Sequence, residues 1–168
     1  QHGVKPYQSV SYQGKIKGLL LVNQKPGVRF IGKNKQPVYY GESDPQNYYF
    51  SKTQLIYSDK LSKFVVKANE LTDGLVIKRI GKIYPLIFID EIQDMAGYDL
   101  DIIKLLFSLK SNILLVGDPR QVTYHTHDEA RYKKYADGNI IGFVKNECSS
   151  YSVEIDDITL NKTYRNNK

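Results

Sequence analysis

The chain has 168 residues, a formal net charge of +6, 41% hydrophobic and 25% charged residues, and a single cysteine. That length suits one domain or two small lobes, and the composition predicts a packed core in a soluble protein. It excludes a membrane helix, because no apolar run approaches the ~18 residues one needs, and it excludes an internal disulfide, because Cys148 stands alone.

One cysteine and three histidines make a structural zinc site a poor expectation, and His125 and His127 read as polar loop contacts. The lone thiol fits a reducing, cytoplasmic setting. Gln1 is not an initiator methionine and no signal pattern follows it, which predicts a fragment or a processed piece. The charge is uneven. Residues 1–80 hold 13 Lys/Arg against 5 Asp/Glu, a balance of +8, and residues 81–168 hold 11 against 13, a balance of −2. A basic half beside an acid-tipped half points to a polyanion-binding surface next to a metal-phosphate site, whereas a solvated lysine-rich face is the plainer alternative.

Gln1–Gly14 is polar and predicts no element. Gly18–Val22, Val28–Ile31 and Val38–Tyr40 are short apolar runs separated by turn residues, which predicts short antiparallel strands. Gln54–Leu71 reads as a helix, since Tyr57, Leu61, Phe64, Val65, Ala68 and Leu71 recur at threes and fours, and Asp73-Gly74 stops it. Leu75–Tyr84 predicts a second helix, with a strand at Leu75–Ile77 as the alternative. Leu86–Ile89 reads as a strand buried on both faces, Leu100–Leu109 as a helix and Ile113–Val116 as another buried strand. Asp128–Ala136 predicts a helix, Asn139–Val144 and Tyr151–Ile155 strands, and Ile158–Arg165 a final strand end. The composition changes near Asp73–Tyr84, which places a domain boundary there. There are no internal repeats.

Both buried strands end in acids, Asp90-Glu91 after the first and Gly117-Asp118 after the second. Two such strands joined by a helix make a βαβ unit with a polar edge. Adjacent carboxylates at the carboxyl end of a parallel strand suit a Mg²⁺-bound phosphate and a water. They also suit a plainer role, capping the helix that follows. The tyrosine pairs Tyr39-Tyr40 and Tyr48-Tyr49 read either as base-stacking platforms or, more simply, as half-buried strand residues.

In order along the chain, DEIQD, then a helix, then LLVGDPRQ, then LNKTYRNN resembles motifs II, III and IV of superfamily 1 DNA helicases of the UvrD/Rep/PcrA type. The resemblance is sharp over residues 84–124 and 158–166. It implies an α/β fold, part of a RecA-like P-loop NTPase domain, with residues 81–168 as the second half of that domain and residues 1–80 as a small basic insertion lobe (1B-like). It implies ATP and Mg²⁺ as cofactors and single-stranded and duplex DNA as partners, with a nuclease or a DNA-repair or defence protein as a further partner and no membrane. On that resemblance Asp90 holds Mg²⁺ together with Glu91, which polarises the attacking water, and Gln93 and Asp94 belong to the same motif and link the site to neighbouring loops. Gln121 reads the γ-phosphate, Arg165 contacts it as an arginine finger would, and Tyr164 stacks on adenine. Tyr124 lies on the nucleic-acid path. Lys15, Lys17, Lys25, Arg29, Lys33 and Lys35 of the lobe are candidate DNA contacts.

The chain departs from the family's pattern in two places. The family's GxxxxGK[ST] loop does not occur, because Gly14-Lys15, Gly32-Lys33 and Gly81-Lys82 are followed by Ile, Asn and Ile. His125-Thr126-His127 stand after Tyr124 in place of a basic, aromatic, basic run. The expectation is a piece of an ATP-dependent helicase with little ATPase activity of its own. The alternatives are a degenerate helicase-like module that only binds DNA or a partner, and a nuclease gathering a metal on Asp90, Glu91 and Asp94.

Overall fold

The computed structural model describes residues 16–24, 27–31, 33–122 and 130–159. The described residues form three two-stranded sheets with helices packed around them. Strand β1 (Gly18–Leu20) pairs in parallel with β4 (Leu55–Tyr57), and β2 (Gly27–Ile31) pairs antiparallel with β3 (Asn34–Val38). Pro37 is tolerated in β3 because the hairpin has only one partner strand to satisfy. Between them, α1 (Pro45–Tyr49) starts on Asp44, whose carboxylate accepts the Asn47 N–H at 3.3 Å, with Pro45 at the first turn.

Helix α2 (Leu61–Leu71) and α3 (Leu75–Ile83) follow, separated by Gly74 at φ 83°, a left-handed turn that glycine adopts without steric cost. The buried Asn69 accepts the Ile77 N–H at 3.0 Å, so a side chain of α2 satisfies one of the amides that α3 leaves open at its first turn. Strand β5 (Leu86–Ile89) and β6 (Asn112–Leu115) are parallel, with Leu86 opposite Asn112 and Ile89 opposite Leu115. The connection between them carries α4 (Tyr98–Phe107). The last helix among the described residues is α5 (Ile140–Glu147).

The main core forms around α4. Leu100, Ile103 and Leu106 are buried with Ile77, Ile92, Tyr135, Phe143, Val144 and Cys148, and Ile87, Ile89, Ile113 and Leu115 of the sheet pack against them. A smaller cluster joins Tyr49, Phe50 and Ile56, with Phe64 of α2 against it. Polar ties fix α4 from both sides. The Ser62 hydroxyl donates to Asp99, and Asp101 accepts Arg131 Nη2 at 2.8 Å and the Tyr132 hydroxyl at 3.0 Å.

The α/β class and the βαβ unit stand as the sequence predicts; several elements do not. Gly18–Leu20 is not part of an antiparallel set. It lies parallel to Leu55–Tyr57, which is the start of the segment read as one long helix. There Gln54 takes φ 63°, the β-prone Leu55-Ile56-Tyr57 pairs as a strand that buries Ile56 and Tyr57, and the helix begins only at Leu61. Val38 ends β3, so Tyr39-Tyr40 lie beyond the strand. Asn139–Val144 is helical. Asn139 caps α5 by accepting the Gly142 N–H at 3.2 Å, and Phe143 and Val144 turn one face into the core. Tyr151–Ile155 forms no ladder, and of Asp128–Ala136 the described part holds a single 3-10 turn at Lys133–Tyr135. The strands read as doubly buried have one open face, with Leu86 50%, Phe88 65% and Leu114 49% exposed. Alternation along β5 and β6 sends Ile87, Ile89, Ile113 and Leu115 to the helices, and among the described residues it leaves the other face uncovered.

Leu100 is 1% exposed at the centre of this core. Leu100→Ala is expected to destabilise the chain by about 2–5 kcal/mol, the usual range for such a truncation. Denaturant melting of the two proteins checks this.

Candidate active site

Parallel pairing brings the carboxyl ends of β5 and β6 side by side. The Val116 N–H donates to Ile89 at 2.8 Å, and the Ile92 N–H donates back to Val116 at 3.1 Å, so the ladder continues one step past the strands. Asp90 and Glu91 sit there, exposed to solvent. The Asp90 carboxylate accepts the Glu91 N–H at 2.8 Å. Glu91 takes φ 53°, ψ 38°, a left-handed conformation that costs a non-glycine residue about 1–2 kcal/mol. Such strain in a non-glycine residue is concentrated at functional sites.

The side chain of Gln93 lies between the two strand ends and is 3% exposed. Its amide nitrogen donates to Glu91 Oε2 at 2.6 Å, and its amide oxygen accepts the Asp118 N–H at 3.1 Å. Gly117 lets this happen. A Cβ placed on it would stand 2.4 Å from Gln93 Oε1 and 2.7 Å from Ile92 Cγ2.

On the other side, the Asp118 carboxylate accepts Arg120 Nε at 3.0 Å, Arg120 Nη2 at 3.1 Å and Gln121 Nε2 at 3.0 Å. The Arg120 guanidinium, the Arg120 amide and the Gln121 amide hold this carboxyl well below the usual range, so it stays ionised. The result is a hydrogen-bonded chain from Glu91 through Gln93 and Asp118 to Gln121. Asp90, Glu91 and Gln121 are therefore brought to one place. The Asp90-Glu91 pair does not act as a side-chain cap for the turn that follows, since Glu91 makes no capping bond there. Hard, exposed carboxylate oxygens at a strand end suit Mg²⁺, which keeps much of its water and shares its remaining sites with phosphate. Among the described residues no group of three or more His, Cys, Asp or Glu gathers to hold a metal, so Asp94 does not join Asp90 and Glu91 in a cluster.

Tyr124, Tyr164, Arg165, Lys15 and Lys25 lie outside the described residues. Lys17 is exposed beside β1, and its N–H donates to Gln54 at 3.0 Å. Arg29 lies on β2 opposite Gln36, and Lys33 and Lys35 are exposed on the same hairpin. Of the tyrosine pairs, Tyr49 is wholly buried in the small core, whereas Tyr48 lies under Lys60 and Lys63 at 4.8 Å and 5.4 Å from its ring centre. The resemblance implies that Gln93 links the site to neighbouring loops, and its hydrogen bonds to Glu91 and the Asp118 N–H are the contacts the described residues show there. The available signal was a glutamine placed between strand-end acids with Gly117 opposite.

The sequence matches the family model of the UvrD/REP helicase N-terminal domain over residues 46–135, more than half of the chain. The chain belongs to that family, and its mixed α/β architecture is that of part of a RecA-like helicase domain. No curated protein and no solved structure matches it. Among the described residues no helix is long and apolar enough to cross a membrane.

Gly117→Ala should push Gln93 out of its place between the loops and destabilise the chain by about 1 kcal/mol or more, as overpacking does. A lowered melting temperature is the expected result, and an unchanged one would mean that the Gln93 side chain is free to move.

Proposed function

We propose that this chain carries one half of the ATP-hydrolysing site of a DNA helicase, and that the parent protein couples hydrolysis to translocation along single-stranded DNA and separation of the duplex. The observation that carries the reading is the hydrogen-bonded chain from Glu91 to Gln121, set at the ends of adjacent parallel strands in a member of the UvrD/REP family.

On this reading Asp90 holds Mg²⁺, which supplies charge neutralisation at the phosphates when bound. Glu91 accepts a hydrogen bond from the water that attacks the γ-phosphate and orients it for in-line displacement. Gln121, an amide that both donates and accepts, contacts the γ-phosphate and registers its loss. Arg165 adds bidentate stabilisation of the transferring group, and Tyr164 stacks on the adenine. Tyr124 borders the DNA path. The proposed organisation is a basic lobe over residues 1–80 and the motif-bearing part over residues 81–168, with helix Leu61–Leu71 of the former packed on Tyr98–Phe107 of the latter. The phosphate cradle comes from elsewhere in the parent protein, so the isolated chain is inactive. A cytoplasmic DNA-repair or defence setting, with a nuclease among its partners, fits the same reading.

Lys17, Lys33 and Lys35 would grip DNA mainly through phosphates. Their triple replacement by Gln should weaken single-stranded DNA binding and flatten its salt dependence, because each lost phosphate contact removes released counterions. Unchanged affinity and slope in a fluorescence titration would take the lobe out of the DNA site.

Hydrolysis of ATP by the full-length protein, stimulated by single-stranded DNA, tests the motor reading. Glu91→Gln is expected to lower turnover by at least about 10²-fold while ATP still binds. Bound DNA with no hydrolysis in either protein would identify a binding module that has kept the helicase fold.

A further inference from the structure

We infer that Gly138 is a positioning residue: the turn it forms is a fixed backstop for the Pro119–Val122 loop and sets where Gln121 stands. This role rests on the hydrolytic reading of the site and gives a task to a residue outside the DEIQD and GDPRQ stretches.

Gln121 is exposed, its N–H donates to the Asp118 carbonyl at 2.9 Å, and its side chain donates to the Asp118 carboxylate at 3.0 Å. Those bonds run within the loop, so they give it a shape without fixing it against the core. The turn at Gly138 supplies a support from the other side. Gly138 is buried at φ 79°, and Asp137 before it takes φ 59°. The Ile140 N–H donates to the Gly138 carbonyl at 2.8 Å, which closes the turn tightly. Both flanks are anchored. Tyr135 is 4% exposed and its hydroxyl donates to Glu147 at 2.9 Å, while Asn139 caps α5, whose Phe143 is wholly buried. The loop lies directly on this turn. A Cβ on Gly138 would stand 2.6 Å from Val122 Cγ2, 2.7 Å from the Pro119 carbonyl oxygen and 3.3 Å from Pro119 Cα. Two of these are backbone atoms, so no change of rotamer relieves the clash. The loop would have to retreat by about half an ångström or more to regain ordinary van der Waals contact. Gln121 lies between Pro119 and Val122 in the chain and moves with them. Misplacement by about 1 Å can cost a catalytic group some 10²-fold, so the seat of this loop matters to turnover. A glycine needed for its left-handed backbone alone would not have to touch the loop. Asparagine separates the two roles, because it tolerates that conformation better than alanine yet carries the same Cβ.

The test uses the full-length protein with ATP, Mg²⁺ and an oligo-dT strand, at a temperature well below the melting point of every variant, so that lost stability alone does not enter the rate. Gly138→Ala is expected to lose about 10-fold or more in kcat while KM for ATP moves less than about threefold, because orientation is lost and ground-state binding is not. Gly138→Asn should melt higher than Gly138→Ala and yet be as slow. Val122→Ala opens the same contact from the loop side without straining Gly138, and it carries the test if the Gly138 variants do not fold. It should lose about threefold or more in kcat, and the amides of residues 117–122 should exchange hydrogen faster by a similar factor. Active wild type with undiminished kcat in Gly138→Ala overturns the inference alone, as does a loss carried by KM. Wild-type turnover in Gly138→Asn would leave only the backbone conformation and overturns it too, and so does Val122→Ala with unchanged kcat and exchange. No hydrolysis by the wild type removes the proposed function and the inference with it.

Discussion

The parallel pairing of Leu86–Ile89 with Asn112–Leu115 is the constraint on which the rest depends. In a parallel pair both strands finish at the same edge, so their following loops must meet. The candidate catalytic residues that the structure describes, Asp90, Glu91 and Gln121, follow the strands at that edge. Asp90 and Glu91 leave one strand, Gly117 and Asp118 leave the other, and the ladder bonds between Ile89, Val116 and Ile92 carry the register into the loops. An antiparallel arrangement of the same two strands would put those ends on opposite sides and leave no site.

The parallel arrangement also requires a crossover, and α4 supplies it while filling the core. Its apolar residues at Leu100, Ile103 and Leu106 face inward, and its acids are used rather than merely tolerated. Asp99 and Asp101 are nearly buried, and each is met by partners from a distant segment, Ser62 on one side and Arg131 with Tyr132 on the other. A buried carboxylate without such partners would be costly. Through these ties the helix Leu61–Leu71 and the segment around Arg131 are both fixed to the element that spaces the two strands. The aromatic residues follow the same logic. Tyr98 has Lys63 and Arg131 over its ring, at 5.2 Å and 5.1 Å, which links both neighbours of α4 a second time.

The legible parts of this chain were those where pattern and chemistry agree over a short span. The apolar runs ending in acids, the helix between them and the order of DEIQD and GDPRQ were enough for the βαβ unit and for placing Asp90, Glu91 and Gln121 together. Periodicity misled where the deciding partner was remote. Leu55-Ile56-Tyr57 fits a helical repeat as well as a strand, and its pairing with Gly18–Leu20 settles the matter. Ile140-Ile141-Gly142-Phe143-Val144 looks like a strand by composition, yet Asn139 caps it and the core around α4 takes its Phe143 and Val144 face.

Sequence alone determined the chemistry available: which strand ends carry acids, which amide follows the second of them, and which family pattern they compose. Those features are local, written in the identity and spacing of neighbouring residues. Only the tertiary structure decided which atoms of Gln93 would meet Glu91 and Asp118, that Gly117 would be the residue making room for it, and that among the described residues one face of β5 and β6 would be packed by helices and the other left open. Each of these depends on atoms brought together from strands some 25 residues apart in the chain. A residue's spacing along one strand cannot show what lies across the ladder from it.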